Sequence, residues 1–176
     1  MLKFEDGKQY RIRSMDRQKF LVWTESNGVT CTGTGNEDSS IITAHRDVVN
    51  VPTGIGWHFV FSGTDKTVKK DFALHVQPNG TATSQKFITK TLETAYVPHY
   101  LPQSQSSGPQ PTTQSVILKL GTSISTPTQQ CIAAAPDGSL SLKDVDHANP
   151  HLDTVLSYIK PPHLNLNPHL LPRCLN

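Results

Sequence analysis

No stretch of the chain approaches the roughly 20 consecutive apolar residues that a membrane-spanning helix needs. The opening residues, Met1-Leu2-Lys3-Phe4-Glu5-Asp6-Gly7, carry charge where a secretion signal requires an apolar centre. The expected location is therefore the cytoplasm, or outside the cell by a route without a signal peptide, with no membrane partner. Cysteine is scarce. Cys31, Cys131 and Cys174 are odd in number and form no Cys-x-x-Cys pair, which predicts free thiols rather than a disulfide framework. Charge is also sparse, at 17% of residues and a formal net of +2. The Lys66, Lys69 and Lys70 group is the densest basic run, too small a footprint for nucleic acid. Only 35% of residues are apolar, and Thr, Ser, Gln and Pro fill much of the rest, which excludes a helical bundle.

What the chain does have is an internal repeat within 176 residues, a length that suits one domain with a real core. Three segments match around a turn dipeptide: Phe20–Gly28, Phe72–Gly80 and Gln130–Gly138. They end in Asn27-Gly28, Asn79-Gly80 and Asp137-Gly138, with Val22, Leu74 and Ile132 each six positions before the glycine. Asn-Gly and Asp-Gly are hairpin signals because both central residues of a type I′ turn need positive φ. Upstream of each turn lies an alternating segment, Tyr10–Arg13, Trp57–Phe61 and Val116–Leu120, whose period of two predicts a strand with one face in a core. Further strands are expected at Val29–Thr32, Thr81–Gln85 and Ser139–Lys143 after the turns, and at Ile41–Val49, Lys86–Thr91 and Thr154–Ile159 between copies. That makes four strands per copy and twelve in all.

Three four-strand units closing on a threefold axis bury what one unit leaves exposed. The predicted architecture is all-β, a β-trefoil over residues 1–160. Pro98 to Thr113, rich in Pro, Gln and Ser, reads as a long loop, and the Pro-rich residues 161–176 as an extended tail. Other antiparallel barrels and sandwiches remain the alternative.

The hairpins Phe72–Gly80 and Cys131–Gly138 resemble the strand-turn units of the β-trefoil superfamily, which holds growth-factor and interleukin-one-like cytokines, ricin-type lectins, fascin-type actin bundlers and protease inhibitors. Within it, Phe4-Glu5-Asp6-Gly7-x-x-Tyr10-Arg11-Ile12-Arg13 is similar to the N-terminal strand of fungal mycocypin-type cysteine-protease inhibitors. That resemblance covers about ten residues, and no residue matches a family contact one for one. It implies a non-catalytic protein that plugs a protease cleft with neighbouring loops. The loops at those places are Ser14–Gln18, with Asp16 and Arg17, and Thr32–Glu37, with Gly33, Gly35 and Asn36. A Gly-rich loop on a rigid barrel can occupy a narrow cleft at low entropic cost. Lys69 and Lys70, in a basic loop Lys66–Asp71, could steer an acidic partner or present a lysine to a trypsin-like protease.

A carbohydrate-binding trefoil is the chief alternative, although Gln-x-Trp, the ricin-type motif, is absent and only Gln85-Lys86-Phe87 approaches it. A protein–protein or cytokine-like role is the next. Thr43-Ala44-His45, Asp71-x-Ala73-Leu74 and Gly121-Thr122-Ser123 resemble the triad segments of chymotrypsin-like proteases, in the right order. Ile124 stands where that family has the glycine beside its oxyanion site, which argues against it. No cofactor and no metal is expected. His147 and His151 with Asp146 and Asp153 have ligand chemistry, but Pro150 breaks the helix that would align the two rings. His58 and His75 on strands read as structural. Trp23 and Trp57 read as core or core-edge, with sugar stacking the alternative.

Overall fold

A computed structural model of the chain describes residues 3–47, 55–65, 68–77, 82–86, 92–102, 113–123, 128–146 and 148–160. Strands β1 (Lys8–Ser14), β2 (Phe20–Thr24), β3 (Gly28–Gly33) and β4 (Ile42–Asp47) make the first copy. The second comprises β5 (Gly56–Asp65), β6 (Val68–Val76), β7 (Ala82–Lys86) and β8 (Tyr96–Tyr100). The third comprises β9 (Thr113–Leu120), β10 (Gln130–Ala134), β11 (Leu140–Asp144) and β12 (Leu156–Ile159). All pairings are antiparallel. The cycle β1-β4-β5-β8-β9-β12-β1 closes a barrel and so removes its edges. The remaining strands form three hairpins, β2–β3, β6–β7 and β10–β11.

The strand registers show the threefold relation. Within copies, Tyr10 faces Ile42, Trp57 faces Tyr96 and Val116 faces Leu156. Between copies, Ile42 faces Phe61, Tyr96 faces Leu120 and Leu156 faces Ser14. Both sets give one correspondence: Tyr10, Trp57 and Val116 are equivalent, as are Ile12, Phe59 and Leu118, and Ser14, Phe61 and Leu120. Every second residue of these strands points inward, and nearly all are apolar and buried. This is the twelve-strand β-trefoil that the repeat predicts.

One end of the barrel is closed by Phe4, which precedes β1. Its ring stacks on Tyr158 at 4.1 Å and meets Tyr10, Phe59, Trp57 and Tyr100 between 5.0 and 6.3 Å. Tyr10 and Tyr100 hold the approaching chain, their hydroxyls accepting the backbone N–H groups of Glu5 and Phe4. Lys160, just past β12, pairs with Glu5. At the hairpin end, Trp23 stacks on Phe72 at 4.5 Å, joining the first two copies.

The structure corrects several expectations. In the first hairpin Leu21 faces Cys31, as Leu74 faces Ser84 and Ile132 faces Leu142. Leu21, not Val22, is therefore the counterpart of Leu74 and Ile132, and Leu21 joins the main core cluster. Each facing pair is ten residues apart, so the hairpins are equally long and Gly28 stands one place later in its turn than Gly138; one residue switches the face of a strand. Nor are the turns of the doubly positive-φ type. Gly28 and Gly138 have positive φ, at 65° and 86°, whereas Asn27 and Asp137 do not. A turn followed by a left-handed glycine gives the same reversal. Asn79-Gly80 lies outside the described residues.

The fourth strand of the second copy is Tyr96–Tyr100, so Pro98 belongs to a strand rather than to a long loop; of the expected strand Lys86–Thr91, Lys86 ends β7 and residues 87–91 lie outside the described residues. Among the described residues β8 meets β5 at Tyr96 alone, leaving that side of Pro98 off the ladder, where a proline is tolerated. Lys69 and Lys70 are not in a loop either. β5 and β6 continue past Phe61 as a hairpin arm in which Lys70 faces Gly63 and Lys69 faces Thr64. The tail from Pro161 lies outside the described residues.

Candidate functional site

The threefold correspondence shows where the first copy departs from its partners. At the position of Phe61 and Leu120 stands Ser14, fully buried. A hydroxyl there adds little to the core but organises the turn that follows. Ser14 Oγ accepts the N–H of Arg17 at 3.2 Å, Ser14 O accepts that of Gln18 at 3.0 Å, and Ser14 N donates to Lys19 O at 2.9 Å. Gln18 takes a φ of 54°, a left-handed conformation that costs a non-glycine residue about 1 kcal/mol or more. Its amide donates to Met15 O at 2.6 Å and offsets part of that strain. Met15 N donates to Val155 O and Arg17 Nη2 to Pro136 O at 2.6 Å, so the turn is tied to the third copy as well. Asp16, Arg17, Gln18 and Lys19 are exposed on this frame.

The second loop folds around one carboxylate. Glu37 accepts from Thr34 N at 2.9 Å, Thr34 Oγ1 at 2.8 Å and Gly35 N at 2.9 Å. Chiefly the Thr34 N–H holds its pKa down, to about 2 from 4.5. A depressed carboxylate contributes stability above its unfolded pKa and loses it as pH falls through the folded value. The loop is therefore expected to loosen between pH 4.5 and about 2, read from the amide resonances of Thr34 and Gly35. Glu37→Gln should remove that pH dependence.

The two loops are neighbours because Phe20, which ends the first, begins the strand that pairs with the second. Phe20 faces Gly33, and its ring lies under Gly35. A Cβ on Gly35 would come within 2.5 Å of the Phe20 ring at a φ of 91°, while one on Gly33 would collide with Val22 and sit 3.2 Å from Phe20 O. Both glycines thus have packing duties that their sequence pattern did not reveal. Gly35→Ala is expected to cost about 2 kcal/mol, from strain at positive φ plus overpacking, measurable by urea denaturation. Asn36 and Thr34 are exposed at the tip.

A second polar constellation is buried. His58, fully enclosed, bonds through Nε2 to Asp47 Oδ2 at 2.6 Å and through Nδ1 to Thr94 Oγ1 at 3.0 Å. The carboxylate-imidazole-hydroxyl order is that of a catalytic triad, but Asp47 and Thr94 are 4% and 2% exposed, which denies a substrate access. The group braces the barrel. Its place follows from the repeat: Thr94 corresponds to Ser40 and Thr154, each two residues before a barrel strand and each buried. In the first copy Ser40 Oγ accepts from Arg11 Nε at 3.0 Å, and Arg11 is the counterpart of His58.

The protease-like segments do not assemble. His45 faces His58 on β5, whereas Asp71 faces Ser62 and accepts its hydroxyl at 2.9 Å. Four residues of extended strand separate those rungs by about 13 Å. The single barrel has no cleft between two barrels, and Ser123 ends a short 3-10 turn, Gly121–Ser123. Of the metal candidates, Asp146 caps Ala148 and Asn149, Asp153 pairs with Lys143, and His147 lies outside the described residues. Among the described residues no three His, Cys, Asp or Glu gather at ligating distance. Trp23 and Trp57 are buried, at 8% and 7% exposure. Burial raises the thiol pKa of Cys31 and lifts that of Cys131 to about 11, so neither suits nucleophilic chemistry.

At the opposite end of β1 from the loops, beside Phe4, opens a cleft of about 700 Å³. Lys3, Asp6, Arg46, Ile55, Trp57 and Tyr100 are among its walls. The cleft was not legible in the sequence because its walls come from four separate segments.

No family model matches the chain, and no curated protein sequence does. A solved structure described as "BEL beta-trefoil apo crystal form 3" matches over 88% of this chain and 94% of that one, with a TM-score of 0.53 and 7% identity. Identity so low bears on fold alone. Closed barrel, three hairpins, threefold register and this likeness agree: the chain is a β-trefoil.

Proposed function

We propose that the chain is a non-catalytic binding protein that docks a protein partner on the paired loops 14–19 and 33–37, and that the partner is a protease with a narrow cleft of the papain-like kind. One observation carries the reading: two exposed turns lie side by side, each held from within by its own hydrogen bonds. Rigid loops lose little conformational freedom on docking, which is what lets an inhibitor bind tightly through a small area. Strain at an exposed, non-glycine left-handed residue, Gln18, is the kind of feature that clusters at binding sites. The test is titration of papain-like and trypsin-like proteases with the intact protein. Inhibition of the papain-like class at or below micromolar concentration is expected. Silence against both classes at that concentration removes the reading.

Carbohydrate binding is the second reading, and the cleft beside Phe4 favours it. It sets the half-buried Tyr100 ring among Lys3, Asp6 and Arg46, a mix of aromatic and charged hydrogen-bonding groups that suits a sugar. Selective glycan-array binding that is lost in Tyr100→Ala supports this second reading. An array without signal counts against it.

A further inference from the structure

The two docking loops hold about half of the roughly 20–30 residues that a stable protein interface takes from each side. A neighbouring exposed element is therefore needed, and the turn between β10 and β11 is fastened beside both loops. Arg17 Nη2, in loop 14–19, donates to Pro136 O at 2.6 Å. Cys31 N, on the strand that leads into loop 33–37, donates to Gly138 O at 2.7 Å. Gly138 also packs on Thr32, since a Cβ there would come within 2.5 Å of Thr32 Cγ2. The exposed residues Pro136, Asp137 and Ser139 thus lie beside exposed Arg17 on one loop and exposed Thr32 at the root of the other.

The turn is braced from within. Ala135 N donates to Ser139 O and Gly138 N to Ala135 O, both at 2.9 Å. Asp137 Oδ1 accepts from Ser139 N at 2.9 Å and from Ser139 Oγ at 2.7 Å. The matching turn of the first copy, Glu25–Asn27, is also exposed but shows no bond to another copy among the described residues. Threefold symmetry alone therefore does not put a hairpin turn on this edge; the contacts of the third copy do.

We infer that the turn Ala135–Ser139 is a third contact element of the docking edge, touching the same papain-like partner through the side chains of Pro136, Asp137 and Ser139. The inference rests on the loop-pair reading and extends it. Three separately braced turns, joined by bonds between copies, present one pre-ordered surface and keep the ordering cost of docking low. The amides of Ala135, Gly138 and Ser139 are already bonded inside the turn. Contact here is made by side chains, which blocking substitutions report and amide exchange does not.

The test is titration of papain with the intact wild type and with variants that add bulk at exposed turn positions. Asp137→Trp is expected to weaken inhibition about tenfold or more, by setting a ring where the partner's surface lies. Ser139→Trp keeps the residue 139 amide as a donor to Asp137 and should weaken inhibition as much, so the test survives the loss of one variant to misfolding. Asn27→Trp adds equal bulk to the matching turn of the first copy and should inhibit like the wild type. Inhibition at wild-type strength by a folded Asp137→Trp or Ser139→Trp overturns the inference and leaves the loop-pair reading standing. Equal weakening by Asn27→Trp does the same. A wild-type chain that does not inhibit papain removes both.

Discussion

His58→Ala is expected to destabilise the fold by about 3–5 kcal/mol, from the cavity it opens in the interior and the buried polar groups it deprives of a partner. His58 is fully enclosed, and its imidazole joins Asp47 on β4 to Thr94, two residues before β8. The substitution leaves the buried Asp47 carboxylate without that imidazole, takes a hydrogen-bonding partner from Thr94, and opens a cavity between three strands. Asp47→Asn should cost less, about 1–2 kcal/mol, since an amide oxygen still accepts from Nε2. At about 2–4 °C per kcal/mol for a chain of this size, His58→Ala should melt roughly 6–20 °C below the wild type. A melting temperature within 2 °C would mean that the buried triad is not a brace.

Phe4→Ala is the second large effect, expected at about 3–5 kcal/mol for a buried aromatic removed from a packed cluster. Phe4 touches five rings, Tyr10, Trp57, Phe59, Tyr100 and Tyr158. Loss of the ring should also free Tyr158 and Tyr100, which the stacked plug holds together, so the near-ultraviolet circular dichroism should weaken along with stability. Denaturation by urea at pH 7 gives both numbers. A loss below 1 kcal/mol would show that the barrel end closes without its plug.

The fold was legible because alternation and turn residues are local signals. Tyr10–Arg13, Trp57–Phe61 and Val116–Leu120 alternate, and all three begin or lie within barrel strands. Reading failed where geometry is set by a neighbour. Spacing from Gly28 points to Val22, but the pairing of Leu21 with Cys31 makes Leu21 the counterpart of Leu74 and Ile132 in the core cluster. Tyr96–Tyr100 was obscured by Pro98, which only an unpaired strand side tolerates. Alternation in β5 ends at Phe61, which makes Lys69 and Lys70 look like loop residues in the sequence, although the pairing with β6 continues.

The candidate site was half legible. Segments 14–18 and 32–37 come together from the family resemblance, as neighbouring loops, with no residue in either matched one for one. What joins them, the Phe20 ring beneath Gly35, depends on a pairing across the hairpin. Ser14 had no signal until the register set it level with Phe61 and Leu120, and the partners of His58 had none until β4, β5 and β8 were aligned.

The loop pair as one docking edge is tested most directly by amide hydrogen exchange on the chain alone and on the chain saturated with a papain-like protease. New protection confined to residues 14–19 and 33–37, with the Phe4 end unchanged, is the predicted footprint. Protection confined to the cleft around Trp57 and Tyr100, or no protection at saturating protease, would contradict it.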